Sequence, residues 1–99
     1  MTDSMLPILR EMHDAADDRA RADILLRVPD TILLKFAAIF DDCCRRASFD
    51  AGATYVLLRL TGMRAVRGND GTLPADTVAH LDSYRAALAV FAGAGKVDA

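Results

Sequence analysis

Three short turn signals divide this 99-residue chain into segments of helical length. Val28-Pro29-Asp30 ends one helix and begins another, because proline disfavours helical geometry in the residue before it and suits a helix start. Ser48-Phe49-Asp50 supplies Asp50 as an N-cap for a following helix. Gly68-Asn69-Asp70-Gly71 is a dense turn sequence, in which Gly68 suits the left-handed position after a helix.

Between these turns, apolar residues recur at the three- and four-residue spacing of an α-helix. The sequence therefore predicts an all-α fold, a compact bundle of about four antiparallel helices. The predicted helices cover about residues 5–20, 29–47, 51–67 and 73–92, with a short helical turn near 23–27. Ser4 is expected to cap the first helix, Asp23 the short turn and Thr72 the fourth helix. A bend or break is expected between Arg19 and Asp23, because an unbroken helix would place Leu25 on its acidic face.

The third predicted helix lacks a continuous polar face. Apolar side chains surround it, and four polar residues interrupt them: Arg59, Thr61, Arg64 and Arg67. Such a helix is expected to be central in the fold or covered by another chain. Gly62 lies inside this helix and lowers its stability by about 1 kcal/mol relative to alanine. Close approach of another helix is expected to offset this loss.

The fourth predicted helix carries a second face of small residues, mainly alanine. This face and the third helix together predict a surface for self-association. The residues predicted to bind the partner are Tyr55, Val56, Leu57, Leu60, Arg64, Arg67, Ala86 and Ala89.

Composition limits the class of protein. With 12 Lys and Arg against 14 Asp and Glu, the net charge of -2 disfavours a nucleic-acid partner. Apolar runs end far short of the roughly 20 residues that span a membrane, and the first residues lack the basic start of a signal peptide. One cytoplasmic domain over residues 1–99 is therefore expected. Ten arginines against two lysines suggest a GC-rich bacterial genome.

Chemistry-bearing residues are few. Cys43 and Cys44 are adjacent, so a stabilising disulfide between them is excluded. The pair also lacks the spacing of a zinc site. Both residues are therefore interpreted as reduced core thiols. His13 has Asp17 four residues later, but two such groups do not complete a metal site, and His80 is followed by no ligand residue at that spacing. No catalytic, metal or cofactor site is predicted.

The favoured function is a non-enzymatic protein-interaction or regulatory module, either a homodimer or bound to another protein. The alternative is a nucleic-acid-associated regulator that uses Arg59, Arg64 and Arg67. A third class is an enzyme with its site between subunits, in which His13 or His80 would act with a nearby aspartate.

Overall fold

A computed structural model describes residues 6–94, which form six helices and no strand. The all-α fold is therefore confirmed. The helices are α1 (Pro7–Asp14), α2 (Asp18–Arg27), α3 (Asp30–Lys35), α4 (Ala37–Arg46), α5 (Asp50–Arg64) and α6 (Ala75–Ala94). The predicted cap Ser4 lies outside the described residues.

The first predicted helix is two helices, so the prediction of one helix to residue 20 was wrong. The break lies between Asp14 and Asp18, earlier than expected. Asp17 determines it, because its extended backbone and its carboxylate, which accepts a hydrogen bond from the Ala20 N–H at 2.9 Å, make it the N-cap of α2. Asp23, the predicted cap, instead lies within α2 and accepts a hydrogen bond from Arg27 Nε.

The second predicted helix is also divided, at Phe36. This residue leaves helical geometry, with φ -115° and ψ 28°. Its N–H donates to the Ile32 carbonyl and ends α3, while its own carbonyl accepts from the N–H of Ile39 and of Phe40 and begins α4. On α4, Asp41 pairs with Arg45 and Asp42 with Arg46, at 2.6 and 2.8 Å, each one helical turn apart with the acid on the N-terminal side.

The turn between α4 and α5 is a Schellman motif built on serine. Ser48 takes the left-handed φ of 57°, its N–H donates to the Arg45 carbonyl, and the Phe49 N–H donates to the Cys44 carbonyl. Asp50 is the first residue of α5 and Phe49 is its N-cap residue, so the prediction of Asp50 as the cap was wrong by one position.

The turn before α6 differs in detail from the prediction. Gly71, with φ 81°, takes the left-handed conformation that was expected of Gly68. Thr72 does not cap α6, which begins three residues later. The Thr72 N–H and hydroxyl instead both donate to the Asp70 carboxylate, at 3.1 and 2.7 Å.

The helices form two layers, and the smallest extent of the molecule, 22 Å, is about two helix diameters. Helix α6 packs on α2 and α5, α4 packs on α5, and α1 packs on α2 and α4. The side chains without solvent exposure come from α2 to α5, and the largest are Tyr55, Phe40, Leu25, Leu33 and Cys44. None of the helices described here has the length and apolar character that crossing a membrane requires.

Candidate interaction surface

Helix α5 is the central element of the fold, which is one of the two situations that its sequence predicted. Tyr55, Val56 and Leu60, predicted to bind a partner, are buried within the chain. The Tyr55 hydroxyl accepts a hydrogen bond from Arg85 Nε at 3.1 Å, and this bond raises the pKa of Arg85. These three side chains are therefore not available to a second chain.

Three other predicted α5 residues do reach the surface. Leu57 is 62% exposed and lies in an open groove between α4 and α5, beside Ala37 and Ala38. Arg64 is exposed in the last turn of α5. Arg67, just beyond the helix, donates from Nη1 to the Gly62 carbonyl at 2.9 Å, so it helps to close the helix end.

Arg59 has a structural role that the sequence reasoning missed. It is 5% exposed, and its guanidinium donates to the Leu25 and Val28 carbonyls, each at 2.9 Å, and to the Asp30 carboxylate. Leu25 and Val28 lie at the end of α2, where carbonyls have no partner within the helix. Arg59 therefore caps α2 from another helix, and it is not available for contacts to a nucleic-acid backbone.

Helix α6 presents an apolar face to solvent over its second half, after the exposed Asp82. We define the outer face of α6 as four exposed residues within about one quarter to one third of the helix circumference: Ala86, Ala89, Val90 and Gly93. Val90 is the most prominent of them, at 76% exposure. Ala86 and Ala89 were predicted to lie on such a surface, whereas Val90 and Gly93 were not identified. The signal for them was the run from Ala86 to Ala94, which contains no polar side chain.

An apolar groove adjoins this outer face. It has a volume of about 430 Å³ and lies between the start of α5 and the second half of α6. Its lining residues are Phe49, Ala51, Tyr84, Ala87, Leu88 and Phe91. The Phe49 and Phe91 rings pack at a centroid distance of 5.9 Å and form its floor. Since Ala87 is one helical turn from Val90, the groove and the outer face form one continuous apolar surface.

The two cysteines differ in their environments. Cys44 is buried in the core, as predicted, whereas Cys43 is half-buried. Burial raises the pKa of the Cys44 thiol to about 12, and the neighbouring Cys43 contributes to this increase. Burial also raises the pKa of Cys43. Both sulfurs are therefore thiols and not thiolates at neutral pH, which makes them poor nucleophiles.

This difference predicts the order of thiol modification. In native protein, Cys43 is expected to react first with a thiol reagent, and Cys44 at least about tenfold more slowly, because its sulfur is covered and protonated. A Cys43→Ser variant identifies the slow thiol, and both cysteines should react equally fast in denaturant. Labelling of Cys44 in native Cys43→Ser at the rate of the first wild-type thiol would contradict the core assignment.

Several other charged side chains pair with neighbours that are close in sequence. His13, which is exposed, contacts the adjacent Asp14 carboxylate at 3.1 Å, and Asp18 pairs with Arg21 at 2.7 Å. Within residues 6–94, no group of three or more His, Cys, Asp or Glu side chains is arranged to hold a metal ion. The apolar surface on α6 is consequently the candidate site that the geometry favours.

A scan against protein-family models finds no match, and searches of the curated proteins and of the solved structures find no similar chain either. The role of the α6 surface is therefore inferred from the residues that form it.

Proposed function

We propose that this chain is a non-enzymatic protein-interaction module that forms a homodimer through the outer face of α6 and the adjoining apolar groove. The observation that carries this proposal is the segment from Ala86 to Ala94, which has no polar side chain although Ala86, Ala89 and Val90 are exposed. Contiguous apolar surface of this kind is typical of a contact surface for another protein.

A second copy of the chain is the partner that fits this surface best. The surface has a protruding residue, Val90, beside an apolar recess that contains Ala87 and Phe91. Two copies related by a two-fold axis place each Val90 in the recess of the other copy, and such an interface uses the same patch twice. Small side chains at Ala86 and Gly93 allow the two α6 helices to approach closely.

The outer face and the groove act together in this proposal. A stable interface buries about 800 Å² on each partner, which is more than one crossing of two helices supplies. The groove adds aromatic surface from Phe49, Tyr84 and Phe91, the residue class that contributes most to interface cores. Leu57 lies in the separate groove between α4 and α5, and it has no part in this interface.

A nucleic-acid partner, the alternative predicted from the sequence, has less support. Of its three arginines, Arg59 is buried against α2, which leaves Arg64 and Arg67. Two cations provide little of the counterion release that drives binding to a duplex. We expect no duplex binding even at low salt, which an electrophoretic mobility shift experiment measures.

The Val90→Asp variant tests the dimer. Burying an unpaired carboxylate in an apolar interface is expected to weaken dimerisation at least about tenfold, which corresponds to about 1.4 kcal/mol. Size-exclusion chromatography with light scattering over a range of concentrations measures the effect. Thermal unfolding followed by circular dichroism verifies that the variant remains folded, as expected for a residue with 76% exposure.

Val66→Asp is the matched control, because Val66 is 89% exposed but lies in the turn after α5. This variant is expected to dimerise like wild type. A wild-type chain that stays monomeric at high micromolar concentration would exclude self-association. Equal weakening by Val66→Asp and Val90→Asp would show that the contact surface is not on α6.

A further inference from the structure

A small cavity on the opposite side of α6 contains an unusual concentration of arginine. Its volume is about 90 Å³, and it lies where the second half of α5, the middle of α6 and the start of α3 meet. Its charged lining residues are Asp30, Arg59, Arg67 and Arg85, and the remaining lining is apolar apart from the backbone.

Each of the three guanidinium groups is held in position by a hydrogen bond to another part of the fold. Arg59 donates to the end of α2, Arg67 to the Gly62 carbonyl, and Arg85 to the Tyr55 hydroxyl. A guanidinium has five N–H donors, so these bonds leave donors on Arg67 and Arg85 for a ligand. Their positions are set before any ligand binds, which lowers the entropic cost of binding.

The charges around this cavity are not balanced by the chain. Three arginines face two carboxylates here, because Asp30 is paired with Arg59 and the exposed Asp82 lies 3.8 Å from Arg85 Nη1, so a net charge of +1 remains. Like charges around one small space repel each other, and a bound anion relieves that repulsion. Proteins use arginine for this purpose because its planar fork matches the oxygens of phosphate and carboxylate groups.

Arg59 forms a buried wall of the cavity. Its Nε is buried and has no hydrogen-bond partner among residues 6–94. Nε and Nη2 share one edge of a guanidinium, and Nη2 bonds Asp30, which itself lines the cavity. Nη2 also donates to the Val28 carbonyl, and the Nε atom has almost no accessible surface, so Arg59 contributes its charge to the cavity wall while Arg67 and Arg85 supply the donors for an anion.

We propose that this cavity binds a small tetrahedral oxyanion of the phosphate class, either free phosphate or the phosphate of a small phosphomonoester. A phosphomonoester carries a charge of about -1.5 to -2 at neutral pH, opposite in sign to the charge of the lining. The volume equals that of about three water molecules, so the cavity admits the phosphate group and leaves the rest of an ester outside.

Titration of the full chain with inorganic phosphate tests this proposal, with sodium chloride at equal ionic strength as the reference. Isothermal titration calorimetry measures affinity, and NMR follows the arginine Nε–H signals. Wild type is expected to bind with a dissociation constant of about 1 mM or lower. The Nε–H signals of Arg67 and Arg85 are expected to shift on binding.

Arg67→Gln and Arg85→Gln are each expected to weaken binding at least about tenfold. Arg64→Gln is the matched control, since Arg64 is exposed near the same helix end and does not line the cavity. A second titration with phenyl phosphate distinguishes the two sources, because tighter binding than free phosphate indicates an ester. Val90→Asp should bind phosphate like wild type, so the two proposed sites are separable.

Two results would overturn the proposal. One is the absence of any phosphate response beyond that of chloride in the wild-type chain. The other is equal weakening in Arg64→Gln and Arg67→Gln, which would indicate general attraction of anions to the basic side chains near this helix end.

Discussion

Replacing Arg59 with methionine is expected to lower the free energy of unfolding by about 3 kcal/mol, which is a large part of the stability of a domain of this size. Methionine preserves most of the length and apolar contact of the arginine stem, but it has no hydrogen-bond donor. The Leu25 and Val28 carbonyls would lose their partner at the end of α2. Both residues are buried, so water does not readily replace the lost donors.

Urea unfolding at one fixed protein concentration measures this effect, since dimerisation would make stability depend on concentration. Asp30→Asn is the matched control, because it removes the ion pair and leaves both carbonyl bonds in place. Asp30 has a side chain that is 70% exposed, so its loss should change stability by less than about 1 kcal/mol. If Asp30→Asn were as destabilising as Arg59→Met, the ion pair and not the cap on α2 would be the important contact.

The two glycines of α5 are expected to respond to alanine with opposite signs. A Cβ atom at Gly52 would lie 2.6 Å from Phe49 Cδ2 and 2.8 Å from Cys44 Sγ, which is too close for either contact. The Phe49 ring is buried against Phe91, so it cannot simply move aside. Gly52→Ala should therefore destabilise the fold by about 1 to 2 kcal/mol, the overpacking cost less the gain in helix propensity.

Gly62→Ala provides the contrast. A Cβ atom there would meet Leu81 Cδ2 at 3.9 Å and Thr77 Cγ2 at 4.0 Å, which are ordinary contacts. Alanine should therefore stabilise the chain by up to about 1 kcal/mol through helix propensity. Thermal and urea unfolding of both variants measure the difference. Destabilisation by Gly62→Ala would mean that α5 and α6 approach more closely than these distances state.

These distances also correct a prediction from the sequence. Close helix approach was expected at Gly62, whereas the position that excludes a Cβ atom is Gly52. Both glycines lie inside one helix, and nothing in their local sequence distinguishes them. The difference arises because Phe49 and Cys44, which precede α5, fold back over its first turn. Phe49 lies only three residues before Gly52, but the sequence does not show that its ring and the Cys44 sulfur close over that position.

The helix ends that could be predicted from the sequence are those marked by proline or by a run of turn-forming residues. Pro29 marks the start of α3, and the four residues Gly68-Asn69-Asp70-Gly71 mark the turn before α6. The break at Phe36 has neither proline nor glycine, and so the periodicity continues through it. The break before α2 was expected a few residues too late, because Asp17 and Asp23 are equally plausible caps by residue type alone.

The candidate surface was predictable in part. Periodicity identified the small-residue face that contains Ala86 and Ala89, and both residues are exposed. The same reasoning could not decide whether α5 is apolar because it is central or because a partner covers it, since both situations give the same sequence pattern. Burial of Tyr55 and Val56 resolves that question for most of the helix.

The two-layer construction has a consequence for how this chain can evolve. In a molecule only 22 Å thick, a helix such as α6 faces the core on one side and solvent on the other. Val90 and Ala86 on its outer side contribute little to the core, which Leu88 and Ala92 reach from the inner side. Substitutions on this proposed contact surface are therefore expected to leave the fold intact. If the surface binds a partner as proposed, selection can alter that binding through a few surface codons while the interior sequence stays fixed.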